Sequence, residues 1–85
     1  MPELSRFLGI VIAMYYRDHG PPHFHAIYGD HEATINIATG EVAGYLPPRA
    51  LGHVQEWRLL HMQELTDAWA LALARRPLPN IAPLE

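Results

Sequence analysis

The stretch HFHAIYGDHEATIN, residues 23–36, contains two short runs separated by Gly29-Asp30. A two-residue turn that begins with glycine fits type II′, which joins adjacent antiparallel strands. With this turn, Phe24 faces Ile35 and the small apolar residues face each other. A shift of one residue would place polar side chains beside Phe24 in the core. The sequence therefore predicts a β-hairpin with one apolar face in a defined register.

The opposite face of this hairpin carries polar side chains. His23 is predicted to lie opposite Asn36, and His25 opposite Thr34, with Glu32 further along the same face. Side chains at positions i and i+2 of a strand project from the same face, about 6.5–7 Å apart along the chain. The two imidazoles therefore share one polar surface with Glu32, Thr34 and Asn36.

The rest of the chain supplies two further predicted strands, two helices and an arm. Residues 7–16 are largely apolar at both odd and even positions, so both faces of a strand formed by them would be apolar. This predicts a strand buried on both faces. Residues 41–46 predict a short edge strand. Residues 49–76 have helical periodicity that changes phase near residues 61–62, which predicts two helices or one bent helix. Residues 77–85 predict an extended C-terminal arm that docks on the body or on a neighbouring chain.

The order β-β-β-β-α-α predicts an α+β architecture, in which a four-stranded antiparallel meander carries both helices on one face. With 85 residues, the chain is expected to form a single domain over residues 1–85. The apolar run at residues 7–16 is too short to span a bilayer and lacks a basic leader. We therefore expect a cytoplasmic protein without membrane association.

Composition excludes several kinds of site. The chain has no cysteine, so disulfides, thiolate zinc sites and a thiol nucleophile are excluded. Its six basic residues are all arginine, and its net charge is −3. A nucleic-acid-binding protein usually carries a basic stripe, and the arginines here are scattered, so nucleic acid is only weakly supported as a partner.

The segment around His19, His23 and His25 is the part of the sequence that points to chemistry. Prolines at positions 21 and 22 make the intervening turn rigid. In one interpretation, the three histidines bind a divalent transition metal (Zn, Ni, Cu or Fe), with Asp18, Glu32 or His31 completing the site.

Two other interpretations remain open for the same histidines. In a metal-free enzyme such as a ribonuclease-like toxin, His23 or His25 would act as acid or base, since histidine titrates near neutral pH, and Arg17 would hold a phosphate. His23, His25 and Arg17 are therefore the candidate catalytic residues. Alternatively, the histidines serve only to fix the turn and cover the sheet.

Several short motifs are distributed along the chain. They are SRFLGI at residues 5–10, MYYRDHGPPHFHA at 14–26, ATI at 33–35, TGE at 39–41, EW at 56–57, His61, and IAPL at 81–84. Together these motifs resemble a small bacterial family, domain-of-unknown-function family 4160. The resemblance covers essentially the whole chain. It implies a bacterial origin and a gene next to that of a second small protein, an arrangement of toxin–antitoxin type. It implies no catalytic residue.

The resemblance thus suggests that the chain acts through a protein partner, as the toxin-like member of a two-gene module. The apolar run at residues 7–16 and the leucine- and isoleucine-bearing arm are candidate association surfaces. They predict a homodimer or a complex with the partner.

Overall fold

The computed structural model describes residues 2–16 and 18–85. An antiparallel sheet is followed by two helices, which confirms the predicted α+β class. The sheet has five strands in sequential order rather than the four predicted. The elements are β1 (Glu3–Phe7), β2 (Ile10–Ala13), β3 (His23–Tyr28), β4 (His31–Asn36), β5 (Val42–Gly44), α1 (Pro48–Leu60) and α2 (Met62–Leu73).

The additional strand arises because the apolar run at residues 7–16 is not one strand. The chain turns at Leu8 and Gly9, whose φ angles are 50° and 79°, so β1 and β2 form a hairpin. The prediction of a single strand was wrong because this turn carries no polar residue. Leu8 is 58% exposed although it is apolar, so the pattern of hydrophobic residues gave no indication that the chain turns here.

The β3–β4 hairpin has the predicted register. His23 pairs with Asn36, His25 with Thr34, and Ile27 with Glu32. Phe24 and the other residues of the apolar face are buried, whereas both histidines are only partly buried. The hairpin therefore separates a core face from a polar face, as its sequence indicates.

The two helices pack around a buried tryptophan. The ring of Trp57 in α1 lies 5.4 Å from that of Phe7 and 5.8 Å from that of Phe24. The helices meet at His61, whose φ and ψ of −126° and 26° interrupt the helical path. This is the position at which the sequence predicts a bend. Residues Leu65, Ala68, Trp69 and Ala72 form the buried side of α2.

The C-terminal arm docks on the body of its own chain. Ile81 is buried, and its N–H donates a hydrogen bond of 2.8 Å to the Leu4 carbonyl in β1. The indole N–H of Trp57 donates to the Ala82 carbonyl at 2.8 Å. The arm thus pairs with β1, which would otherwise be a free edge of the sheet.

A buried arginine in α1 supports the loop between β4 and β5. The guanidinium of Arg58 donates to the Ile37 carbonyl at 2.8 Å and to Gln55 Oε1 at 2.8 Å. Gln55 in turn donates to the Gly40 carbonyl at 2.8 Å. Gly40 has a φ of 78°, and this left-handed conformation lets the loop turn tightly beside the guanidinium. This network fixes the loop that leads into Glu41 and β5.

Candidate metal centre

Three side chains converge at the start of β3. One carboxylate oxygen, Asp18 Oδ2, lies 2.8 Å from His23 Nε2 and 3.3 Å from His25 Nε2. The three potential ligand atoms all lie within 4.8 Å of one another. Both histidines thus direct the same ring nitrogen at one carboxylate.

The local fold explains this convergence. His23 and His25 alternate with the buried Phe24 along β3, so their rings share one face. Asp18 comes from the preceding turn, which folds back over that face. The turn is held at its end by the amide of Ile37, which donates to the Pro22 carbonyl at 3.0 Å.

The second nitrogen of each imidazole faces another acceptor. His23 Nδ1 lies 2.9 Å from the Pro21 carbonyl oxygen, and His25 Nδ1 lies 3.0 Å from Glu32 Oε2. Neither acceptor carries a proton to donate when Glu32 is ionised. Each Nδ1 must therefore be the N–H donor in its contact, which fixes the tautomer of a neutral ring.

Asp18 favours its ionised form. Burial would raise the pKa of this carboxyl group, but the hydrogen bonds from the His19 amide, His25 and His23 outweigh it and lower the pKa below its ordinary value. The His19 N–H donates to Asp18 Oδ1 at 2.9 Å. Asp18 is therefore an acceptor at neutral pH and has no proton to give to either imidazole.

These contacts require positive charge between the three groups. A neutral imidazole has one N–H, and in each ring that hydrogen is already engaged at Nδ1. Each Nε2 would then bring its lone pair against a carboxylate oxygen. The conflict disappears if both rings are protonated, or if one metal ion lies between Nε2 of His23, Nε2 of His25 and Asp18.

The two imidazoles and the carboxylate are a donor set that suits a divalent metal ion. Zinc bonds to nitrogen and oxygen are about 2.0–2.2 Å long, so tetrahedral ligand atoms are separated by roughly 3.3–3.5 Å. The separation of 3.3 Å between Asp18 Oδ2 and His25 Nε2 agrees with this range. The separation of 2.8 Å to His23 Nε2 is a hydrogen-bond distance, so these two groups would move apart by about half an ångström to hold zinc. In metal sites the second nitrogen of a histidine ligand typically donates to a carbonyl or a carboxylate. Pro21 and Glu32 provide one of each.

Aromatic rings surround the two imidazoles. The rings of Tyr15 and His25 form a T-shaped contact with centroids 4.3 Å apart, and the ring of Trp69 in α2 lies 5.2 Å from that of His23. The side chains of the two histidines are 16% and 13% exposed, and that of Asp18 is 28% exposed. The centre is therefore shielded by apolar groups but can be reached from solvent.

In a comparison with protein-family models, the model of a domain of unknown function, DUF4160, matches residues 9–70. The chain belongs to the DUF4160 family. The matched region of this DUF4160 protein includes the whole candidate centre. The comparisons with curated proteins and with solved structures gave no match. None of the described helices is both long enough and apolar enough to cross a bilayer.

The structure brings together some of the residues that the sequence of this DUF4160 chain singles out. His23 and His25 converge, with Glu32 behind His25. His19 is exposed and contributes its backbone N–H rather than a ligand atom to the group. Arg17, the third candidate catalytic residue, lies outside the described residues.

Asp18 joins His23 and His25 in this group, although the sequence suggested it only as one of three residues that could complete a metal site. Its spacing is a usable signal, because it precedes the two histidines by five and seven residues across a proline-rigid turn. The sequence could not show whether Asp18 or its neighbour His19 points back at β3. That choice depends on the path of the turn, which the amide of His19 helps to fix.

Proposed function

We propose that this DUF4160 protein binds one divalent transition metal ion through Asp18, His23 and His25. The observation that supports this most strongly is the orientation of the imidazoles. Both direct Nε2 at one carboxylate oxygen, while both Nδ1 atoms face acceptors. Imidazole and carboxylate ligands suit Zn, Ni, Cu or Fe.

Three protein ligands are typical of a catalytic metal site rather than a structural one, because a coordination position stays open. A metal in such a site acts as a Lewis acid toward a carbonyl or phosphoryl oxygen. The partial exposure of Asp18 and the histidines gives a substrate a route to that position. We therefore favour a metal-dependent enzyme over a protein that uses the ion only for stability.

Isothermal titration of chelator-treated protein with Zn²⁺ tests this proposal. We expect one ion per chain, together with a rise in Tm, because a ligand at 100 times its Kd stabilises the folded state by about 2.7 kcal/mol. His25→Ala and Asp18→Asn should abolish the binding. His19→Ala should retain it, since the His19 ring is not part of the group.

His31→Ala serves as the matched control. His31 belongs to the same hairpin but lies on the opposite face of the sheet from the candidate metal centre, where its ring contacts Tyr45. Circular dichroism of each variant separates loss of binding from loss of fold. Folded wild-type protein that takes up no Zn²⁺, Ni²⁺, Cu²⁺ or Fe²⁺ would contradict the proposal.

A metal-free acid–base enzyme is the second candidate, and it uses the same residues. If both imidazoles are protonated, Asp18 lies between two proton donors at 2.8 and 3.3 Å. Either imidazolium could then act as acid toward a substrate such as RNA, and the other ring could act as base once it has lost its Nε2 proton. Activity or toxicity on expression that survives chelation but is lost in folded His23→Ala or His25→Ala variants would favour this candidate.

A toxin-like role through a protein partner, in the cytoplasm, is supported by the family resemblance and by one surface. Leu8, Tyr28 and Tyr45 are 58%, 37% and 57% exposed and belong to the same end of the sheet. Exposed apolar side chains grouped in this way are typical of association surfaces. Light scattering of wild-type and Tyr45→Ser protein tests for a homodimer. A strict monomer that co-purifies with no partner would count against this role.

A further inference from the structure

An open groove of about 380 Å³ lies beside the candidate metal centre and has His23 in its lining. It runs over the polar face of the sheet from His23, past Thr34 and Asn36, to Glu41 at the edge strand. His23 pairs with Asn36, and the Asn36 N–H donates to the Glu41 carbonyl at 2.9 Å. The groove therefore crosses two strand spacings, about 9–10 Å.

Polar groups in this groove have unused hydrogen-bonding capacity. Asn36 Oδ1 accepts from the amides of Ala38 and Thr39 at 2.9 Å each, which leaves the NH₂ of Asn36 available. Over residues 2–16 and 18–85, the Thr34 hydroxyl and the Glu41 carboxylate have no hydrogen-bond partner. The middle of the groove thus presents hydrogen-bond donors from Asn36 and Thr34, and the end away from His23 presents the Glu41 carboxylate.

The two ends of the groove differ in the groups they attract. A divalent ion together with one carboxylate and two neutral imidazoles has a net positive charge. The open coordination position of such an ion takes an oxygen donor. Glu41, at the other end, attracts a cation. A ligand that spans the groove should therefore be an anion or carbonyl at one end and an amine at the other.

We propose that the groove binds a short peptide with a free amino terminus, placing an oxygen of its carboxyl end at the metal and its ammonium group at Glu41. Its amide would meet Asn36 and Thr34. An extended dipeptide spans about 7 Å, which lies within the two strand spacings that the groove crosses. This inference rests on the proposed metal site and adds the class of ligand.

Calorimetric titration of the zinc-loaded protein with alanylalanine and with N-acetyl-alanylalanine tests the inference. Acetylation removes the ammonium charge, so we expect the acetylated peptide to bind about tenfold more weakly or worse, as for a lost charge-assisted hydrogen bond. In Glu41→Gln the two peptides should bind within about threefold of each other. Glu56→Gln, on the exposed side of α1, should keep the wild-type preference.

The comparison in Glu41→Gln also tests whether the preference for the unacetylated peptide arises only because its amine binds zinc directly. A preference of that origin would persist in this variant. Equal binding of both peptides to wild type, or a preference unchanged in Glu41→Gln, would overturn the inference while zinc binding stands. Absence of zinc binding would overturn the proposed function, and this inference with it. Glu41→Gln should bind zinc as wild type does.

Discussion

At the scale of single residues, the acceptors that hydrogen-bond to Nδ1 of the two imidazoles are as important to the proposed metal site as the proposed ligands themselves. A carbonyl oxygen of Pro21 orients His23, and a carboxylate of Glu32 orients His25. In a neutral ring, each of these contacts leaves Nε2 without a proton and directed at Asp18. Since the first acceptor belongs to the backbone, only the second can be removed by substitution.

Glu32→Ala should therefore weaken zinc binding without removing a ligand. Loss of a carboxylate behind a metal-binding histidine typically lowers metal affinity by about 10–100-fold, and we expect a loss in this range. Glu56→Ala, which removes an exposed carboxylate on α1 rather than on the hairpin, is the matched control. The two affinities can be measured by competition with a chelator. Equal affinities would show that Glu32 does not orient His25.

Asp18 should also make the metal-free protein sensitive to acid. Its folded-state pKa is below the ordinary value of 3.8, so its ionised form stabilises the folded state. This contribution is fully present above pH 3.8 and is lost as the pH falls through the lower folded-state pKa. In urea unfolding, wild type should be more stable than Asp18→Asn at pH 6, and the difference should shrink by pH 3. A constant difference would contradict the assignment.

At the scale of elements, the two hairpins show what sequence can and cannot determine. The β3–β4 hairpin was predictable in register because its alternating faces differ in polarity and Gly29-Asp30 marks the turn. The β1–β2 hairpin was not, because Leu8 is apolar and only Gly9 marks the reversal. The position of Asp18 was not predictable either, since it depends on the three-dimensional path of a turn rather than on a periodic pattern.

Glycines in these elements have opposite roles, and alanine substitutions test them. At Gly44 the φ is 98°, and a Cβ would lie 2.6 Å from the backbone oxygen of Glu32. Gly44→Ala should therefore cost at least about 1–2 kcal/mol of unfolding free energy and disturb the β4–β5 pairing. At Gly52, in α1, a Cβ would meet nothing within 4 Å, so Gly52→Ala should stabilise the protein by about 0.5–1 kcal/mol. Chemical denaturation measures both, and a stable Gly44→Ala variant would argue against this backbone at the end of β5.

At the scale of the whole molecule, the C-terminal arm closes the core. Ile81 is 3% exposed and joins the same apolar cluster as Leu4 and Trp57. The sequence indicated an arm because apolar residues alternate with prolines there, although it left open whether the arm docks on its own chain. The backbone pairing of Ile81 with Leu4 answers this.

Ile81→Ala should therefore destabilise the protein as a core substitution does, by about 2–5 kcal/mol. Leu73→Ala, at the exposed end of α2, is the control, because Leu73 is 53% exposed and surface substitutions usually change stability by no more than about 0.5 kcal/mol. Urea unfolding of both variants provides the comparison. Equal effects would mean that the arm is not part of the core.

The central claim is that Asp18, His23 and His25 hold one metal ion, and anomalous scattering at the zinc absorption edge tests it most directly. In crystals grown with one equivalent of Zn²⁺, we predict a single strong peak about 2.0–2.2 Å from Nε2 of both histidines and from an oxygen of Asp18. A peak only elsewhere, for example at His61 and Glu64, or no peak at all, would contradict the claim.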